Sequence, residues 1–568
     1  MCILNIVRVS FFFGTDPWLH IFIIKRITEN NILPLEEYYG TVGLPIFGAV
    51  IHFFSGIDIL LIPRYFVFYT FFVSALTFYN ILMRVFKKRE FAIFGVFLIE
   101  FASLGFSYSM YQFWPTHLAI IQFFAIFLIL YERHLRFIKE KRPTRKQIYS
   151  EIRWSYSIII ILFISSLLTH SLITIIQIVT LLFVYFIYFL KDYRRGFDFL
   201  LLCVLMGIFF FLYLFTLISQ HFWFLGRSLS IPWYFLVVGA VPALILVWMF
   251  VDTINFTTGR FSKTIKGKQY RYFKTIEDKI ILPLVFGIVI FLSILFTIGA
   301  LLIFKLDLVN VFMGFEILLI YAFAAWGLIL FQKKPRGKSL FIWGAIFLIL
   351  LAGVFVYDSL TANSKLWVRI LYLSAPIAVI GFISYIYKLC KLNEFNKKKG
   401  KLLVLFIVIF SLGATMAHEF KGIPDFELKR REVASVRWFS DHTEDRNAIY
   451  CEFGWNGIFM YYAFPYSEND PDMKGNDIHY FILYDKDLYP PENHFYENGT
   501  NRLKEMKDEQ DTDVYLVVDD FYFINNEWET YGRLSDEEME EYYEMEYLNR
   551  VHSSKSSEGE DTPYYWVI

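Results

Sequence analysis

The sequence predicts a polytopic all-α membrane domain of about 12 transmembrane helices, followed by a C-terminal extracytoplasmic α/β domain. Of the 568 residues, 56% are hydrophobic and 20% are aromatic. Lys and Arg outnumber Asp and Glu by 40 to 19 through Ala417, whereas the acids outnumber the bases by 35 to 14 from His418 onward. We therefore expect three divisions, which are an N-terminal remnant with the first external loop and its amphipathic helices at 1–64, a multi-span domain at 65–417 and an acidic domain at 418–568.

Apolar windows near the length that crosses the hydrocarbon of a bilayer recur through the multi-span division. A spanning helix needs about 20 apolar residues, with about 17 as the lower limit. The predicted spans are 65–86, 91–110, 113–131, 154–169, 171–190, 199–218, 234–251, 280–304, 309–331, 339–357, 370–389 and 402–417.

The loops between these spans alternate in charge. One set, at 87–90, 132–153, 191–198, 252–279, 332–338 and 388–401, carries 31 Lys and Arg. The alternate set carries only Arg227, Lys305, Lys365 and Arg369. By the positive-inside rule the first set is cytoplasmic, so the segment before residue 65 and the acidic tail both lie outside. Membrane topology explains the basic loops, and we assign them no nucleic-acid partner.

One apolar run in the first loop is too short to cross the membrane. Residues 44–56 read LPIFGAVIHFFSG and are bounded by Pro45 and Gly56. A helix of this length reaches about 20 Å, against about 30 Å of hydrocarbon. We expect a horizontal or re-entrant helix within an external loop at 14–64.

The acidic tail has the pattern of an α/β domain. Strand-like runs occur at 447–453, 513–518 and 564–568, and Ser535 with Glu538 fits a capping box at the start of a helix. The four cysteines of the chain are scattered, so we expect neither a disulfide framework nor a cysteine-based metal site.

The step Asp16-Pro17-Trp18 places an acid among apolar and aromatic residues shortly before the membrane domain. This step resembles the first acidic motif of oligosaccharyltransferase catalytic subunits, and the order of parts resembles the GT-C superfamily of membrane glycosyltransferases. The resemblance in individual residues is limited to about 8–64. The resemblance in architecture extends over the whole chain. Because oligosaccharyltransferase subunits have thirteen spans, the resemblance implies that the start is truncated or that the first helix has been lost.

The tail departs from the oligosaccharyltransferase pattern. Those enzymes carry a Trp-Trp-Asp-Tyr-Gly motif soon after the last span, whereas residues 451–457 here read CEFGWNG. The acceptor-reading motif is absent. Transfer of a single sugar from a polyprenyl-phosphate carrier therefore fits better than transfer of a whole oligosaccharide.

The resemblance implies an inverting displacement, in which an acceptor hydroxyl attacks the sugar C1 while polyprenyl phosphate leaves. Such a step needs a base near the nucleophile and positive charge near the phosphate. Asp16 would be the base or a ligand of a divalent cation such as Mg²⁺ or Mn²⁺; the alternative is a helix cap before Pro17. Arg227 and Arg369 would clamp the phosphate, or else snorkel at the interface.

Five further polar residues are candidates for binding or for intramembrane roles. Glu36 and Glu37 lie among aromatic residues that would stack on sugar rings, or form a solvated pair beside an interfacial aromatic belt. His20 follows Asp16 by one helical turn, so the two would share a face, unless His20 is structural. Glu100 and Glu316 are acids within predicted spans and should face the bundle interior.

These features predict a multi-pass glycosyltransferase of the cell membrane. Its partners would be membrane lipids, a polyprenyl-phosphate-linked sugar donor and an extracytoplasmic acceptor, which is a glycan, a lipid or a protein. A transporter or lipid flippase is one alternative and would be favoured by a midplane cavity at Glu100. A catalytically inactive scaffold is another. An external groove that joins Asp16 to Arg369 would favour the enzyme.

Overall fold

The fold is described from a computed structural model. It describes residues 16–31, 33, 42–104, 113–139, 145–191, 196–215, 308–332, 335–361, 366–391, 394–422, 430–443, 447–452, 458–459, 461–462, 477–481, 513–517, 521–524, 530–533, 548–555 and 561–567.

Thirteen α-helices lie in this described part of the chain. They are α1 (Asp16–Asn30), α2 (Gly43–Ser55), α3 (Ile62–Phe86), α4 (Arg89–Phe101), α5 (Pro115–Lys139), α6 (Arg145–Thr169), α7 (Ser171–Lys191), α8 (Gly196–Phe215), α9 (Leu308–Phe331), α10 (Pro335–Thr361), α11 (Leu366–Cys390), α12 (Glu394–Gly422) and α13 (Arg430–His442).

Within the described residues, six segments are long and apolar enough to cross a membrane, which makes the chain a multi-pass membrane protein. They are Ile59–Phe86, Pro115–Phe137, Ser171–Tyr188, Val311–Phe331, Arg336–Val354 and Arg369–Cys390. The shorter apolar helical segments are Gly43–Ser55, Trp154–Thr169 and Leu200–Phe209.

The number of about 12 spans stays a prediction. The predicted spans at 234–251 and 280–304 lie outside the described residues, as do the ends of the spans at 91–110 and 199–218. Helices α3 to α12 lie over the other ten. Several exceed the predicted bounds; α5, for example, continues to Lys139. Glu, Arg and Lys favour helix and are solvated beyond the hydrocarbon, so apolar length alone underestimates such helices.

Helices α9 and α11 cross in backbone contact within the bundle core. A Cβ atom on Gly327 would collide with the carbonyl of Gly381, and one on Gly381 would collide with the backbone of Ala324. Small residues at such a crossing let two membrane helices approach closely. The buried cores of these helices join the largest hydrophobic cluster of the described residues, which includes Phe323 and Tyr385.

The tail folds around a mixed sheet. Strands β1 (Ala448–Glu452), β2 (Asp477–Phe481), β3 (Val514–Val517), β6 (Leu548–Lys555) and β7 (Asp561–Val567) are arranged in the order β2-β1-β3-β7-β6. Strand β1 is parallel to β2 and β3, whereas β7 is antiparallel to β3 and β6. Strands β4 (Phe521–Ile524) and β5 (Thr530–Arg533) form a separate antiparallel pair.

Three of these strands match the predicted ones at 447–453, 513–518 and 564–568. The helix predicted from Ser535 lies outside the described residues. Helix α13 packs on the sheet, where Trp438 stacks on His552 at 3.7 Å and Phe439 meets Tyr515 edge to face at 5.0 Å.

Candidate active site at the start of the first helix

Helix α1 begins at Asp16, and Pro17 follows in its first turn. Proline suits this position because its missing N–H would have no partner inside the helix. The helical backbone of Asp16 is described, while its side chain lies outside the described part. The acid thus stands at the amino end of a helix, where the helix dipole favours negative charge.

One face of α1 packs against the tail. Trp18 and Ile21 are fully buried in a hydrophobic cluster with Val436 and Phe439 of α13 and with other tail residues. The Trp18 ring centre lies 5.9 Å from that of Tyr461 and 6.2 Å from that of Tyr462. The residue two positions after Asp16 is therefore anchored by the C-terminal part of the chain.

Lys25 adds a polar contact on the same side of α1. Its ammonium donates a hydrogen bond to the carbonyl oxygen of Tyr461 at 3.1 Å and lies 4.9 Å from the centre of the Tyr461 ring. Burial, together with the neighbouring Tyr462, Asp58 and Glu29, raises the pKa of Tyr461 to about 12, so its phenol is neutral at physiological pH.

The pair Tyr461-Tyr462 is held from the other side by α13. An Arg437 Nη atom donates to the Tyr462 hydroxyl at 2.7 Å, and Ser440 Oγ donates to the Tyr462 carbonyl at 2.8 Å. The two tyrosines consequently bridge α1 and α13.

The opposite face of α1 packs against the membrane bundle. His20 is completely buried and meets the Phe113 ring edge to face at 6.1 Å. Ile24 joins a cluster with Leu44 of α2 and Phe66 of α3. Burial lowers the pKa of His20 to about 3, so the imidazole is neutral at physiological pH. Helix α1 is thus a layer between the bundle and the tail.

Of the other predicted binding residues, the structure describes only Arg369. Glu36, Glu37 and Arg227 lie outside the described residues, so their roles stay predictions. Arg369 is the fourth residue of α11, is partly exposed and interacts electrostatically with Tyr372 one turn further on.

Glu100, predicted to be an intramembrane acid, is buried near the end of α4. Its Oε1 accepts a hydrogen bond from Ser74 Oγ of α3 at 2.7 Å. Its Oε2 is buried and has no hydrogen-bond partner among the described residues. Glu100 is therefore enclosed by protein beside α3, and its intramembrane role stays a prediction.

Glu316 is also buried, but its surroundings supply more donors. Its Oε2 accepts from the amide of Ser103 at 3.0 Å and from the Ser103 hydroxyl at 2.5 Å, and its Oε1 accepts from the Ser411 hydroxyl. Glu316 thereby joins α9 to α12 and to the residues that follow α4.

Sequence reasoning did not single out Lys25, Tyr461 or Tyr462. A lysine in a helix before the membrane domain and two adjacent tyrosines in an acidic tail do not stand out in a single sequence. Correlated variation at these positions among related sequences is the signal that would reveal their contact. Among the residues that the structure describes, no cluster of three His, Cys, Asp or Glu side chains is arranged to hold a metal ion.

No protein-family model and no curated protein matches the chain. Among solved structures, it is similar to ArnT from Cupriavidus metallidurans in the apo state, with a TM-score of 0.48 and 11% identity over 100% of this chain and 96% of that chain.

Proposed function

We propose that this protein is a GT-C-like membrane glycosyltransferase, which transfers a sugar from a polyprenyl-phosphate-linked donor to an extracytoplasmic acceptor. One observation carries the proposal. The helix that starts at Asp16 is clamped between the membrane bundle and the tail, with Trp18 buried against Tyr461 and Tyr462. A reactive acid needs a fixed position, and a helix packed on both faces supplies one.

The location of this acid also suits a lipid-linked donor. The positive-inside rule places α1 and the tail together on the external side. A polyprenyl chain would stay in the bilayer, while its phosphate would lie at the headgroup level beside an external helix. The acceptor would then approach from the aqueous side, where the tail is located.

Asp16 would act in one displacement. As a general base it takes the proton of the acceptor hydroxyl, whose oxygen attacks the sugar C1 and inverts it as the phosphate leaves. His20 is neutral and fully buried against Phe113, so its part is to hold α1 on the bundle. The partly exposed Arg369 is the described candidate for charge stabilisation at the phosphate.

The experiment is a transfer assay with purified protein and a panel of polyprenyl-phosphate sugars. We expect wild-type transfer to be lost in Asp16→Asn. The matched control is Glu29→Gln, which removes a carboxylate from an exposed position on the same helix and should keep wild-type activity. Activity that survives in Asp16→Asn would exclude Asp16 as the base, and a wild-type protein inactive with every donor would refute the proposal.

A transporter is the second candidate, and Glu100 is the observation that favours it. A buried acid with one unpaired oxygen is costly inside a membrane and commonly marks a proton or ion pathway. Flux of protons or lipid across vesicles that contain the protein, abolished by Glu100→Gln and unchanged in Asp16→Asn, would select this alternative.

A further inference from the structure

Two basic turns meet near the end of the spanning segment Arg369–Cys390. Tyr387 of α11 lies close to that end and is partly exposed. The Lys391 ammonium lies 4.4 Å from the centre of the Tyr387 ring, and the Lys88 ammonium lies 5.9 Å from it. Lys88 belongs to the turn between α3 and α4, whereas Lys391 belongs to the turn between α11 and α12. One aromatic ring thus brings together two charges that are far apart in the sequence.

Aromatic neighbours hold the Tyr387 ring in place. The Phe91 ring of α4 meets it edge to face at 5.3 Å, and the Phe86 ring of α3 lies 6.3 Å away. Phe86 is itself stacked on Phe331 of α9 at 5.9 Å. The ring is therefore packed among side chains from three helices and offers the two lysines a fixed surface.

The backbone of both turns is held by hydrogen bonds at the lysines. Lys87 adopts a left-handed conformation with φ of 58°, and its amide donates to the Met83 carbonyl at 3.0 Å. Lys88 follows in an extended conformation, and α4 begins directly after it. In the second turn the Lys391 amide donates to the Lys388 carbonyl at 3.1 Å. Both ammonium groups are thus carried by ordered turns next to a helix end.

The charges of this cluster are not neutralised within the described residues. Lys88 and Lys391 are exposed, and neither forms an ion pair with a carboxylate of the described part. Lys87 and Arg89 add two exposed cations, against one exposed acid, Glu90, in the first turn of α4. Since two ammonium groups lie over one ring, they are at most about 10 Å apart, which is one Debye length at 0.1 M salt. Their repulsion is only partly screened, and an anion between them would relieve it.

Apolar side chains are exposed on the helices beside this cluster. Helices α4 and α12 both pack on α11, the helix of Tyr387. Ile93 of α4 and Leu402 and Leu405 of α12 are 62%, 66% and 55% exposed. Outward apolar side chains of membrane helices face acyl chains, and tyrosine is enriched at the headgroup level. A ligand with an anionic group at the lysines and hydrocarbon along these helices has the form of an anionic phospholipid.

We propose that Lys88 and Lys391 bind the phosphate of an anionic glycerophospholipid, such as phosphatidylglycerol, beside the Tyr387 ring. The two ammonium groups donate to the non-bridging phosphate oxygens, and the acyl chains lie along α4 and α12. The positive-inside rule places both turns on the cytoplasmic side, so the lipid belongs to the inner leaflet. A zwitterionic headgroup fits less well, because its choline brings a further cation to a basic cluster. The inference is independent of the proposed function.

Native mass spectrometry of the full-length protein in a neutral detergent tests this site. Phosphatidylglycerol and phosphatidylcholine with identical acyl chains are titrated separately, and the affinity for the first bound lipid is measured. Lys391→Gln and Lys88→Gln each remove one cation from the ring. Lys338→Gln is the matched control, because it removes one charge from an exposed position near the start of α10, in another predicted cytoplasmic turn.

We expect the wild type to bind phosphatidylglycerol at least about fivefold more tightly than phosphatidylcholine, and each of the two variants to lose about fivefold in affinity for phosphatidylglycerol. Lys338→Gln should bind like the wild type. Equal affinity of the wild type for the two lipids would overturn the inference without recourse to any variant. An equal loss in Lys338→Gln would also overturn it, because the attraction would then be spread over all basic turns.

A competition with water-soluble phosphate separates a lipid from a free anion. Glycerol 3-phosphate carries the same anionic group without acyl chains, and it should leave the bound phosphatidylglycerol in place at tenfold molar excess. Displacement by glycerol 3-phosphate would overturn the assignment to lipid. Sugar transfer is not needed for either measurement, so a protein without transferase activity can still show the lipid preference, and an active transferase can lack it.

Discussion

Lys25 and Tyr461 are 436 residues apart in sequence, yet one ammonium meets both the carbonyl oxygen and the ring of the tyrosine. The contact fastens the helix that carries Asp16 to the tail. Both partners are only partly buried, so the interaction is moderated by solvent.

Lys25→Met should loosen α1 by about 1–2 kcal/mol, because it removes a charge-assisted hydrogen bond and a cation–π contact while keeping a similar chain. Hydrogen exchange of the α1 amides measures this local opening. Leu33→Ala, at an exposed position shortly after the same helix, is the control and should leave exchange unchanged. Equal protection of α1 in Lys25→Met and wild type would show that the contact contributes nothing to holding α1.

Trp18→Ala should be more severe than Lys25→Met. Trp18 is fully buried, and emptying such a site costs about 3–5 kcal/mol. The expected result is a clear fall of the unfolding midpoint in detergent and faster proteolysis of the tail. Leu33→Ala removes an exposed apolar side chain shortly after the same helix and should change neither quantity.

Stability should fall as the pH drops below 6.5, in part because of His20. Its pKa is 6.5 as a free side chain and about 3 in the folded protein, so only the unfolded state takes up a proton between these values. The contribution of neutral His20 to the free energy of unfolding is complete above pH 6.5. It falls by about 1.4 kcal/mol per pH unit as the pH drops from 6.5 to about 3. The unfolding midpoint measured from pH 7.5 to 5.0 should fall more steeply in wild type than in His20→Gln. Parallel curves would contradict a buried neutral histidine.

Gly381→Leu should disrupt the bundle, because the side chain has no room at the crossing of α9 and α11. Overpacking of this kind costs about 1–3 kcal/mol or more. Gly353→Leu on α10 is the matched control, since a Cβ atom there meets nothing within 4 Å. Thermal unfolding in detergent should separate the two variants, and similar midpoints would argue against the close crossing.

The two buried acids Glu100 and Glu316 should respond differently to amide substitution. Glu316→Gln replaces one of the two acceptor oxygens by an N–H₂ group, which cannot accept the bonds from Ser103 or the bond from Ser411, and so should cost about 1–3 kcal/mol. Glu100→Gln can keep the bond from Ser74 through its oxygen and should be nearly neutral. A comparison of the two unfolding midpoints checks this, and the opposite order would reject the assigned bonding.

Local sequence pattern predicted much of the fold. The short apolar run at 44–56 is observed as α2, and the strand-like runs at 447–453 and 513–518 are observed as β1 and β3. Such predictions succeed because hydrophobic length and periodicity are local properties of the chain. The length of α5 was underestimated, since charged residues extend a helix beyond its apolar part.

Contacts that depend on distant pairing could not be predicted. Nothing near Trp18 indicates that Tyr461 and Tyr462 will cover it, and nothing near Glu316 identifies Ser411 as a donor. Serine hydroxyls are common in helices and reveal a role only when tertiary packing brings an acid to them. The packing of α1 between the bundle and the tail therefore could not be predicted from the sequence and is observed only in the structure.

The double-sided burial of α1 has a consequence for biosynthesis. The helix leaves the ribosome long before the tail, because Tyr461 is made 436 residues after Lys25. At a rate of about 5–20 residues per second, Trp18 and Ile21 lack their packing partners in the tail for about 20–90 s. During that interval an apolar stripe is left unprotected. Proteins that assist membrane insertion, or the leaflet itself, would have to shield that stripe until the C-terminal part arrives.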